Sequence, residues 1–255
     1  MFLVDIGNSR IKWATNSDEE FTSLGEAEYV IKELDVQLDV FWKGIEKPNY
    51  VAISSVAPPR VIKAVTVWIE SNWACDHHVV KSLDRYGDLI NGYVEPERLG
   101  VDRWLAMLAV AEGAKPETAF CVIDCGSALT VDVVAEDGQH LGGMIVPGLT
   151  MMRSALIKGT NGIRLKDELP AEVSLLARDT EGAVTGGVLY SAVSMIDRVC
   201  MDIISSQGGD VQFFITGGDA PLLIPLLEQE FEYDANLVLN GLVIAAKALQ
   251  NEAVI

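Results

Sequence analysis

The chain has 255 residues, 49% of them hydrophobic, enough for one large domain or two ordinary ones with a sizeable core. Its formal net charge is −18, from 19 Lys and Arg against 37 Asp and Glu; no basic run offsets a field that repels nucleic acid and anionic membranes. No apolar run reaches the roughly 18 residues of a membrane span, and "MFLV" breaks at Asp5 too soon for a secretory signal, so a soluble, cytoplasmic protein with neither nucleic-acid nor membrane partners is expected.

The first predicted elements lie in "FLVDIGNSRIKWA", Phe2 to Ala14, where an apolar strand meets a turn and a second, alternating strand follows. The turn gathers Asp5, Gly7, Asn8 and Lys12. Gly7 lets the backbone approach a ligand, and successive N–H groups of such a turn form an anion-binding nest. A carboxylate beside it can hold Mg²⁺, and Lys12 can reach back to a phosphate. The same residues also fit a plain β-hairpin in which Asn8 satisfies a tight turn. "YVAISSVAP" reads as a buried strand ending at Pro58-Pro59, and "RVIKAVTVWIESN" as a helix with Val61, Ala64, Val65 and Trp68 on one face. "HHVVKS" is a short strand. "CDHH" at Cys75 looks like half a metal site without a second half, and the four cysteines read as reduced thiols. In "GVDRW", Gly100 precedes Asp102 and Arg103 at the head of the helix "RWLAMLAVAEGA", with Leu105, Leu108 and Ala109 inward. Asp102 there is either a helix cap or a base. Arg103 offers a planar fork that suits a carboxylate.

The polar stretch "EGAKPET", with Pro116, divides an N-terminal domain, 1–115, from a C-terminal one, 116–255. "FCVIDCGSALTVDVV" then repeats the opening plan, Asp124-Cys125-Gly126 lying 119 residues after Asp5-Ile6-Gly7. "LGGMIVPG" is a strand, "LTMMRSAL" starts a helix, and Glu181 to Ser205 supports one long helix. "VQFFITGGDAPLL" is strand, Gly turn and helix; Gly217-Gly218 is either a flat surface for an adenosine or an ordinary turn. "NLVLNGLVIAAKAL" is a closing helix. Strands open each half and strand–helix alternation follows, which predicts an α/β fold of two duplicated domains with mixed sheets, facing across a nucleotide cleft.

"DIGNSRIK", "GVDR", "DCGSALTVD", "GGMIVPG", "DTEGAVTGG" and "TGGDAPLL", in this order, resemble the type III pantothenate kinases over nearly the whole chain. The resemblance implies two ribonuclease-H-like domains, as in the acetate and sugar kinase, chaperone ATPase and actin superfamily. It implies ATP-dependent phosphorylation of pantothenate to 4'-phosphopantothenate, the first step of coenzyme A biosynthesis, by a homodimer. It makes Asp5, Ile6, Gly7, Asn8, Ser9, Arg10, Ile11 and Lys12 the first phosphate loop, with Asp5 near Mg²⁺. It places Tyr93, Gly100, Val101, Asp102, Arg103 and Thr180 at pantothenate, with Asp102 as general base. It gives Asp124 a monovalent cation, K⁺ or NH₄⁺, and Ser127 a contact to ATP beside Gly217 and Gly218. Ser9 and Ser127 stand where the family usually has Thr, and both keep the hydroxyl. Two other classes remain open: another small-molecule kinase of the superfamily, or a non-catalytic regulatory relative. The presence of Asp5, Asp102 and Asp124 speaks against the second.

Overall fold

The computed structural model describes residues 1–17, 20–115, 117–160, 162–163 and 176–252. Pro116, the expected divide, lies outside them. The elements run β1 (Phe2–Ile6), β2 (Arg10–Ser17), β3 (Glu20–Glu28), α1 (Leu34–Phe41), β4 (Tyr50–Ser55), α2 (Pro59–Asn72), β5 (Asp76–Val79), β6 (Arg85–Tyr86), β7 (Leu89–Ile90) and α3 (Val101–Gly113). They continue as β8 (Ala119–Cys125), β9 (Ala128–Val134), β10 (His140–Pro147), α4 (Leu149–Gly159), α5 (Thr180–Gln207), β11 (Val211–Thr216), α6 (Ala220–Leu223), β12 (Glu232–Tyr233) and α7 (Leu237–Glu252). Two compact units result: Met1–Gly113 with Asn236–Ile255, and Ala114–Ala235.

The first unit is built on a five-stranded sheet ordered β3-β2-β1-β4-β5. β1 is central because Phe2, Leu3, Val4 and Ile6 are all apolar and all buried, so both of its faces are covered. It pairs antiparallel with β2 and parallel with β4. α2 begins on Pro59, whose missing N–H costs nothing in a first turn. It buries Val61, Val65 and Ile69, so the inward stripe extends one turn beyond the predicted face. Phe2, Trp42, Trp68 and Trp73 meet edge-to-face or stacked, with centroids 4.9–5.4 Å apart. α3 is buried along almost its whole length, Trp104 to Leu108 included, while Ala109 is only half-buried.

The last helix joins this unit rather than the second half that precedes it in sequence. α7 packs on α3 and reaches β1, β4 and β2. Gly241 lies so close to the Leu105 carbonyl that a Cβ there would collide with main chain. The buried flanks of α3 need an apolar partner, and Leu237, Leu239, Leu242 and Ala246 supply it.

The second unit repeats the strand plan as β10-β9-β8-β11-β12. β8 pairs antiparallel with β9 and parallel with β11, as β1 does with β2 and β4. α5 is capped by Asp179, whose carboxylate accepts the Gly182 N–H at 2.8 Å, and ends at Gly208 in the left-handed region at φ 77°. Its buried residues, from Val184 to Ile203, form the core with Cys121, Ile123, Phe213 and Ile215. All four cysteines are free thiols. Among the described residues no helix is long and apolar enough to cross a membrane, and no three metal-binding side chains gather around an ion-sized site.

Candidate active site

In the first unit the turn between β1 and β2 is held from three directions. The Gly7 N–H donates to the Arg10 carbonyl at 2.9 Å, which closes the turn. Tyr29, just past β3 and buried, donates its N–H to the Ser9 carbonyl at 3.3 Å. Its hydroxyl donates to the Gly7 carbonyl at 2.8 Å and lies 3.3 Å from the Asn8 carbonyl. Asn8, Ser9 and Arg10 are exposed, Ile6 and Ile11 anchor the turn in the core, and Lys12 is half-buried on β2. The Arg10 side chain pairs with Glu26 and Glu28 of β3 at 3.1 and 3.3 Å.

Asp5 stands at the end of β1, in register with Ser54 of the parallel strand β4. Ser54 is fully buried and donates its hydroxyl to Asp5 Oδ1 at 2.5 Å. Burial pushes the Asp5 carboxyl up to about 6; the Ser54 hydrogen bond pulls the other way, the Asp102 charge adds to the rise, and Lys12 offsets part of it. Two carboxylates from distant parts of the chain thus share one neighbourhood beside the turn. A hard oxygen donor whose second oxygen is not claimed by Ser54, next to another acid, fits Mg²⁺.

Asp102 sits in the first turn of α3, and its Oδ1 accepts the Arg103 N–H at 2.8 Å. The cap reading therefore has a hydrogen bond behind it, and the same bond fixes the carboxylate. A Cβ at Gly100 would lie 2.6 Å from Asp102 Oδ1, so a side chain there would displace that carboxylate. Arg103 is buried and donates to the Tyr93 hydroxyl at 2.8 Å, with its guanidinium 5.6 Å from that ring's centroid. Asn91 holds the Tyr93 loop, accepting the Tyr93 N–H at 3.0 Å and donating to the Leu83 carbonyl at 2.9 Å. Val101 is buried at the same helix start. Tyr93, Gly100, Val101, Asp102 and Arg103 are therefore neighbours in space.

In the second unit, Asp124 ends β8 in register with Thr216 of β11, the counterpart of Asp5 beside Ser54. The turn after it is narrow: the Gly126 N–H donates to the Ala128 carbonyl at 3.1 Å, and the Gly148 N–H to the Ser127 carbonyl at 3.1 Å. Gly217, at φ 95°, packs its Cα against the Cys125 carbonyl, and a Cβ there would lie 2.5 Å from Asp124 Oδ1. No side chain fits that place or that angle without strain. Gly218 is exposed beside it, and the Asp219 N–H donates to the Cys125 carbonyl at 2.9 Å. Asp124, Ser127, Gly217 and Gly218 thus gather around one turn. Thr180 is exposed at the head of α5. Ser54 and Tyr29 were not singled out in the sequence. The Ser of "ISSV" looked like any buried strand residue, and only the register with Asp5 gives it a partner. Tyr29 carries no motif at all.

The family model of the type III pantothenate kinases matches residues 1–202. A type III pantothenate kinase of Nitrosococcus oceani is 40% identical over 250 residues, 97% of this chain and 94% of that protein. Among solved structures, a conserved protein of Campylobacter jejuni assigned to the Baf family of transcriptional activators aligns with a TM-score of 0.61 at 20% identity, covering 98% of this chain and 100% of that one. MreB 5 of Spiroplasma citri aligns with a TM-score of 0.52 at 11% identity, covering 99% and 97%. At such identities these two establish the fold alone, and it agrees with the duplicated strand order. The sequence relatives go further, and by them the chain belongs to the type III pantothenate kinase family.

Proposed function

We propose that this kinase transfers the terminal phosphoryl group of ATP to the primary hydroxyl of pantothenate, giving 4'-phosphopantothenate, with Asp102 as general base. The observation that carries the residue assignment is the shared neighbourhood of Asp5, Lys12 and Asp102 beside the β1–β2 turn. Phosphoryl transfer needs positioning and charge neutralisation more than covalent help. The turn's N–H groups and Lys12 bind the phosphate chain. Asp5 would hold Mg²⁺, and the ion would supply charge neutralisation at the phosphates. Asp102, fixed by the Arg103 N–H, accepts the hydroxyl proton as the new P–O bond forms. Arg103 and Tyr93, already bonded to each other, bind the pantothenate carboxylate and its polar backbone, and Thr180 adds a further contact. Asp124 would hold K⁺ or NH₄⁺, and Ser127, Gly217 and Gly218 would contact the nucleotide.

The working form is a cytoplasmic homodimer. The edge strand β10 of the second unit exposes Leu141, Met144 and Ile145, the last 62% accessible. An unpaired edge with apolar side chains favours pairing with a second copy.

ADP release measured with Mg-ATP and pantothenate, against glycerol, acetate and hexoses, tests the reading. Turnover of pantothenate is expected, and turnover of another acceptor in its place would assign a sister activity. Asp102→Asn keeps the acceptor for the Arg103 N–H and removes the base. Its kcat should fall about 10²–10⁴-fold with ATP binding and folding retained. Normal turnover in that variant would reduce Asp102 to a cap.

A further inference from the structure

We propose that Tyr29 is a positioning residue for the phosphate chain of ATP, setting the direction of the N–H groups in the β1–β2 turn. The inference rests on the reading of that turn as a phosphate loop. Ile6 pairs with Ile11, so Gly7, Asn8, Ser9 and Arg10 form a four-residue hairpin loop, closed by the Gly7 N–H bond to the Arg10 carbonyl at 2.9 Å. Four-residue loops are most often built around a type I turn, whose central residues keep negative φ. Neither Asn8 nor Ser9 has positive φ, nor does Gly7. The loop follows that pattern, and its carbonyls are held from outside the hairpin.

Tyr29 supplies that support to three successive carbonyls. Its N–H reaches Ser9 at 3.3 Å, and its hydroxyl reaches Gly7 at 2.8 Å and Asn8 at 3.3 Å. In a planar trans peptide the C=O and N–H point in opposite directions. Carbonyls of residues 7, 8 and 9 turned to the Tyr29 side therefore turn the N–H groups of Asn8, Ser9 and Arg10 to the other side. Successive N–H groups on one side of a turn are an anion nest. Tyr29 is placed for this task by packing: its ring belongs to the buried cluster with Ile6, Ile11 and Leu34. The ring thus serves the core, and the hydroxyl serves the loop.

Tyr29→Phe separates the two roles, since it keeps the ring and removes only the hydroxyl. One net hydrogen bond is a modest effect, about fivefold in an equilibrium. ATP binding by calorimetry should weaken about five- to tenfold, the KM for ATP should rise in parallel, and the KM for pantothenate should stay within twofold. Amide hydrogen exchange at Gly7, whose N–H closes the loop, should quicken, while the thermal midpoint changes little. ATP affinity within twofold of wild type would overturn the proposal, whatever the exchange shows. So would an equal loss for both substrates, which is what general destabilisation produces. Wild-type protein that binds no ATP would remove the phosphate-loop reading together with this inference; wild type that binds ATP beside an unaffected variant would remove the inference alone.

Discussion

At the residue scale, Asp5 carries opposing demands. It is half-buried near Asp102, and the Mg²⁺ role proposed for it needs the charged form. Its carboxyl titrates at about 6 in the folded protein against 3.8 for the ordinary group. A folded-state pKa raised above the unfolded one means the native state holds the proton more tightly, so stability is lost as pH rises from about 4 through 6. Without nucleotide and metal, Asp5→Asn should therefore be more stable than wild type at pH 7.5, by about 1–2 kcal/mol, and the advantage should shrink by roughly half by pH 5. Denaturant melts of both proteins across that range measure it. An advantage independent of pH would mean that Asp5 is not the titrating group. The stability that Asp5 withholds is the usual cost of preorganised charge at a site, and a cation bound there would offset it.

At the scale of elements, the proposed base is positioned by a helix that is itself positioned by another. α3 carries Asp102 and Arg103 in its first turn and packs on α7 through the close approach of Gly241 to Leu105. The clashing atoms are main chain and cannot rotate aside. Gly241→Ala should push the helices apart and cost about 1–3 kcal/mol. The thermal midpoint should fall, and kcat should fall while the KM for ATP changes little, because the displaced group is the proposed base rather than the proposed phosphate turn. An unchanged midpoint would show that the helices yield there without strain. β3 and α1 show why other elements escaped the sequence. "EFTSLGEAE" is an edge strand with most side chains in solvent, so its hydrophobic alternation is faint. α1 is eight residues long and buries only Leu34 and Leu38, too short a stripe to show a period. The central strands and α5 were legible because burial on two faces, or over many turns, imposes a pattern.

For the whole molecule, the duplicated strand order gives each unit an acid in register with a hydroxyl residue, Asp5 with Ser54 and Asp124 with Thr216. The two acids need not share one task. The chain carries a net charge of −18 before any ATP binds, and a monovalent cation at Asp124 would lower repulsion of the triphosphate without competing for octahedral Mg²⁺ coordination. Activity should rise severalfold when K⁺ replaces Na⁺ at constant ionic strength, mainly through a lower KM for ATP, and Asp124→Asn should blunt the response. Equal rates in the two salts would take the cation out of the mechanism.

The sequence by itself determined the α/β class, the repeat, the two D-x-G turns, the "GVDR" helix start and the family. Each is written in local order, in periodicity or in short motifs whose chemistry needs neighbours along the chain. Only the tertiary structure decided what depends on strand pairing and helix packing across long separations. Ser54 meets Asp5 through a parallel register 49 residues apart, and Tyr29 meets Gly7 across 22. The last helix leaves the half that encodes it, because α3 has a second apolar flank to cover. Burial, which raises the Asp5 carboxyl, is likewise a property of the folded surroundings and of no single residue.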